Sequence, residues 1–66
     1  MTIDRKKLDI QLANSCMLIK DVCKTAGIAE PTLRQIRSGI RNPKPSTIGK
    51  IAKALNVNVK EIITEE

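Results

Sequence analysis

Apolar residues recur along this chain at helical spacing, and short runs of glycine, proline and asparagine punctuate them. Leu8 and Leu12 stand one turn apart with Ala13 beside them, and Asp4 is placed to cap; together they predict a first helix over about residues 5–14. Asn14, Ser15 and Cys16 interrupt that pattern. Leu18, Val22 and Ala26 then repeat every fourth position, with Ile19 and Cys23 filling the stripe, which predicts a second short helix closed by a left-handed Gly27. Proline suits a first helical turn, so a third helix is expected from Glu30 and Pro31, with Leu33 and Ile36 inward and Ser38-Gly39 ending it. Two prolines and Asn42 mark residues 40–45 as a loop. Ser46 is the expected cap of a fourth helix carrying Ile48, Ile51, Ala52 and Leu55, and Asn56 its left-handed end. Val57, Asn58 and Val59 could be read as a strand. Asn58 before Lys60, Glu61, Ile62 and Ile63 also reads as a cap on a short fifth helix, the reading preferred here. The expected fold is all-α, five helices with no strand, in a single domain over residues 1–66.

Composition narrows the chemistry. The chain has no His, Phe, Trp or Tyr. Imidazole acid–base catalysis and Cys/His zinc sites are therefore excluded, no nucleophile has a plausible base, and neither an enzyme nor a metal or other cofactor is expected. Cys16 and Cys23 read as reduced residues in or near the core, not as a disulfide. No apolar run is long enough to cross a bilayer and the first residues do not resemble a signal peptide, so a cytoplasmic protein with no membrane partner is expected.

Charge changes the picture more than composition does. Twelve Lys and Arg against seven Asp and Glu give +5, and residues 31–60 contain Arg34, Arg37, Arg41, Lys44, Lys50, Lys53 and Lys60 with no acid. A solvated helical face is the plain explanation of a charge run, but an acid-free stretch of this length favours a polyanionic partner. Helices that bind membrane surfaces usually carry aromatic or leucine-rich apolar faces, which leaves double-stranded DNA as the better candidate.

Two short helices joined at a glycine turn, the second followed by a basic loop, have the layout of a helix-turn-helix. Taking Ile19 as the first of twenty positions, apolar Val22, small Cys23, Gly27 and apolar Ile28, Leu33 and Ile36 fall where that motif needs them, over residues 19–38. The apolar four hold the helices together, Cys23 lets them cross closely, and Gly27 supplies the permissive backbone. With Leu33 and Ile36 inward, the opposite arc of the third helix holds Pro31, Arg34, Gln35 and Ser38. Arg34 can contact guanine bidentately or grip a phosphate, and Gln35 can pair with adenine. Lys20, near the start of the second helix, is a further phosphate candidate.

Over about residues 8–63 the chain resembles the Cro and repressor family of helix-turn-helix regulators, the lambda-repressor-like or XRE class. The resemblance is carried by Val22-Cys23-Lys24-Thr25-Ala26-Gly27-Ile28, by Thr32-Leu33-Arg34-Gln35-Ile36-Arg37-Ser38-Gly39, and by the block from Pro45 through Ile51 and Leu55 to Val57. It implies a compact five-helix domain that binds operator DNA, generally as a homodimer, with the third helix in the major groove. It also implies that Glu30, Pro31 and Gln35 face bases while Thr32, Ser38, Arg41, Asn42 and Lys44 lie near the backbone.

The chain departs from the family at three places. Ala29 stands where Ser or Thr usually caps the recognition helix, so Glu30 is the substitute cap, in which case it reads no base. Ile19 stands where Gln often braces a phosphate. Arg37 replaces a common Glu, which implies added positive charge close to the DNA and a lost internal ion-pair partner.

One recognition helix reads few base pairs, and a two-fold pair spans half-sites about 34 Å apart, so a dimer is expected. Val57, Val59, Ile62 and Ile63 are the candidate interface; the alternative is that they close the core. The functional expectation is a sequence-specific transcriptional regulator, most simply a repressor. The competing one is an antitoxin-like or other protein-interaction module, with Glu61, Glu65 and Glu66 as a docking tail.

Overall fold

The computed structural model describes residues 2–64. Its order is β1 (Thr2–Ile3), α1 (Arg5–Ser15), α2 (Ile19–Ala26), α3 (Glu30–Ser38), α4 (Pro45–Ala54), a single 3-10 turn (Val59–Glu61) and β2 (Ile63–Thr64).

Helix α1 starts where Asp4 Oδ1 accepts the Lys7 N–H at 3.1 Å, and ends at Cys16, which is left-handed at φ 57°. Helix α2 closes at Gly27, φ 74°, whose N–H reaches the Cys23 carbonyl at 2.8 Å. Helix α3 closes at Gly39, φ 85°, and the N–H groups of Ile40 and Arg41 both turn back to the Gln35 carbonyl. These closures satisfy carbonyls that a helix end otherwise leaves open.

The third, fourth and fifth predicted helices need correction at their ends. Glu30 does not cap α3: Ala29 is the N-cap, with no side-chain bond, and Glu30 is already helical although it precedes a proline. Lys44, not Ser46, precedes α4 in extended conformation, because Pro45 takes the first helical position and moves Ser46 inside the turn. Asn56 is left-handed at φ 58°, as its position suggests, and Asn58 Oδ1 does accept a capping bond from the Lys60 N–H.

The segment that Asn58 caps is one 3-10 turn, not a fifth α-helix. The chain then extends, and Thr2↔Thr64 and Ile3↔Ile63 pair antiparallel. Consecutive β-branched residues favour that extension over another helical turn. Four α-helices and a two-residue ladder thus replace the five-helix, strand-free expectation.

The fully buried core comprises Leu8, Val22, Leu33, Ile36, Ile48, Ile51 and Ile62, with Ile3, Leu12, Cys23, Ala52 and Leu55 nearly so. Each large aliphatic side chain removed from water in this way contributes about 1.5–3 kcal/mol. Ile62 is therefore a core residue and does not belong to the candidate interface. Val57, Val59 and Ile63 are half-buried and pack against the core from its edge.

Candidate nucleic-acid interface

Leu33 and Ile36 insert from α3 into the core, and this fixes what the rest of the helix presents. Glu30, Pro31, Arg34, Gln35 and Ser38 are exposed, as the 100° step per residue predicts, while Thr32 is half-buried at the helix flank. The N–H groups of Gly27 and Ile28 both donate to the Cys23 carbonyl in the turn that joins α2 to α3. Cys23 itself packs between the helices, and burial pushes its thiol pKa up, with nearby Glu30 adding to the rise and Arg34 opposing it. The thiol is thus neutral at physiological pH and serves packing.

Beside α3 lies an open cleft of about 320 Å³ lined by Thr32, Ile36, Arg41, Asn42, Pro43, Lys44 and Thr47. Ile36 and Pro43 are buried and form its base. Arg41 Nη1 donates to Thr32 Oγ1 at 3.4 Å, which draws the loop cation onto the recognition helix. Thr32, Arg41, Asn42 and Lys44 are thus brought together by geometry. Thr47 joins them, a residue that sequence reasoning passes over; Pro45 is the signal, because a proline at the first helical position places residue 47 in the first turn. The open N–H groups and positive end of that turn add to the cations, so the cleft suits an anionic oxygen.

Not every candidate joins this group. Lys20 is exposed at the second position of α2, which, like α3 and α4, begins without a side-chain cap. Ser38 lies at the far end of α3, where its hydroxyl donates to the Gln35 carbonyl and its own carbonyl accepts from Arg5 Nη1 at 3.1 Å. Ile19 is spent on packing against the core. Arg37 corrects the expectation of a free cation near DNA: its Nε lies 3.3 Å from Asp9 Oδ1 of α1, so the ion-pair partner is supplied by another helix. Both side chains remain substantially exposed, and such a pair contributes only about 0–1 kcal/mol.

Among the described residues no group of His, Cys, Asp or Glu could hold a metal ion, and no helix is long and apolar enough to cross a membrane.

A buried-backed helix with a polar outer face, set on a second helix by a glycine turn and flanked by a cationic cleft, defines a helix-turn-helix protein. The helix-turn-helix family model matches residues 5–62, and the chain belongs to that family, in its Cro/repressor or XRE branch, a family of DNA-binding regulators that are generally not enzymes. The fold is also that of the restriction-modification controller protein C.AhdI from Aeromonas hydrophila, with a TM-score of 0.81 over 86% of each chain at 19% identity. No curated protein sequence matches the chain.

Proposed function

We propose that this domain is a sequence-specific regulator of transcription that occupies operator DNA as a homodimer and represses. Helix α3 enters the major groove, with Arg34 and Gln35 toward base edges, while Thr32, Arg41, Asn42, Lys44 and Thr47 hold the adjoining phosphates. Lys20 and the first turn of α2 reach a second stretch of backbone. The observation that carries this reading is the continuity of the exposed face of α3 with a cleft that gathers Arg41, Lys44 and the start of α4. A solved structure of the same fold is a restriction-modification controller, and a regulatory role is in keeping with that.

The dimer uses the edge formed by Val57, Val59 and Ile63. Ile63 also pairs with Ile3, so a charge there would disturb the monomer as well as the interface. Val57 is the cleaner site, and Val57→Asp should shift sedimentation toward monomer with helicity intact.

Operator binding is tested by selection from random duplexes followed by salt titration. If a dimer neutralises about eight phosphates, log K falls against log salt with a slope near −7. Substituting Arg41 and Lys44 together by alanine should reduce the magnitude of that slope by about one for each phosphate left without its cation, and weaken all sequences alike. A flat salt profile with no recovered consensus would overturn the reading in favour of a protein-interaction module.

A further inference from the structure

We infer that Glu30 selects cytosine in the half-site read by α3, which deepens the operator reading above by naming one base. Glu30 is the first residue of α3, is exposed, and is the one acid in that helix. The capping role expected for it is absent, and among the described residues its carboxylate has no hydrogen-bond or ion-pair partner. The carboxylate is therefore available at the end of α3 that enters the groove first, where N-terminal residues of a recognition helix meet base edges.

A carboxylate brought to DNA is repelled by phosphates and weakens binding to every sequence unless it meets a donor. Major-groove donors are the amino groups of cytosine N4 and adenine N6. Adenine N6 sits beside the N7 acceptor, whose lone pair opposes a carboxylate. Cytosine N4 has the C5–H as its neighbour on that strand, so the carboxylate accepts from it without that repulsion. Arg34, one turn further on the same face, supplies the donors that guanine O6 and N7 require. The two charges thus read complementary halves of G·C-containing steps, and their opposite signs keep the reading face from being uniformly cationic.

The competing role for Glu30 is structural: a negative charge at a helix N-terminus interacts favourably with the helix dipole whatever the DNA sequence. The two roles separate in a selection experiment with the full chain, wild type and Glu30→Gln in parallel. In the wild type, one half-site position should be cytosine. In Glu30→Gln the preference at that position alone should move toward adenine, which glutamine contacts bidentately, by about tenfold in the ratio of the two bases. Glu30→Ala should lose the preference there without gaining adenine, and circular dichroism should show both variants folded. If both variants retain the wild-type consensus at every position, the inference is overturned while operator recognition stands, even if overall affinity rises. If the wild type yields no consensus at all, the operator reading falls and this inference with it.

Discussion

Helix α1 begins beneath a side-chain cap from Asp4, and the 3-10 turn begins beneath one from Asn58, whereas α2, α3 and α4 start after Leu18, Ala29 and Lys44, none of whose side chains caps the first turn. The capped elements belong to the side where β1 and β2 pair: Asp4 N–H donates to the Ile62 carbonyl at 2.9 Å, and Lys7 Nζ to the Ile63 carbonyl at 3.1 Å. The uncapped helices form the motif and its basic flank. A serine at a cap is worth about 1 kcal/mol to a helix but occupies the donors that an anion would otherwise use. One side of the molecule satisfies its own backbone, and the other leaves its helix starts to water and counterions. In the proposed complex those starts meet phosphate, so the donors left open by the missing caps are filled by the DNA.

That contrast can be broken by substitutions on the self-satisfied side. The largest effect is expected from Leu8→Ala, which removes a fully buried side chain of α1 and should cost about 2–5 kcal/mol in denaturant unfolding. DNA affinity measured below the new melting temperature should change little. Asp4→Ala should cost about 1 kcal/mol through the lost cap, again without altering the salt slope of DNA binding. A drop in the slope on removing Asp4 would show that the two sides are not separable. Smallest of all, Asp9→Asn should change stability by less than about 1 kcal/mol, and the difference should fade as salt rises. Because it frees Arg37, any gain in DNA affinity reports how far that cation can reach.

Legibility in the sequence follows the range of the interaction. Helices α2 and α3 are readable because Val22, Leu33 and Ile36 repeat at helical spacing and because Gly27 and Gly39 adopt the left-handed backbone that their positions suggest. The outward face of α3 follows from the same periodicity. The β1–β2 ladder is not readable: two residues per strand are too few to show alternation, and pairing joins Thr2 and Ile3 to residues distant in sequence, Thr64 and Ile63. Arg37 and Asp9 are likewise brought together only by the packing of α1 on α3, so nothing near Arg37 announces its partner. The start of α4 differs from expectation because Ser46 is a good cap in isolation, while Pro45 before it decides where the helix can begin. Cys16 adopts a left-handed conformation that its residue type gives no reason to expect.

Gly39 constrains how this domain can be retargeted. Its backbone is left-handed, and a methyl group added there would lie 2.8 Å from Arg5 Nη1, the same guanidinium nitrogen that bonds the Ser38 carbonyl. A library aimed at new operators can diversify residues 30, 34 and 35, which are exposed, but it must leave residue 39 fixed. Such a library would search base preference on a scaffold whose orientation is held by groups outside the randomised set.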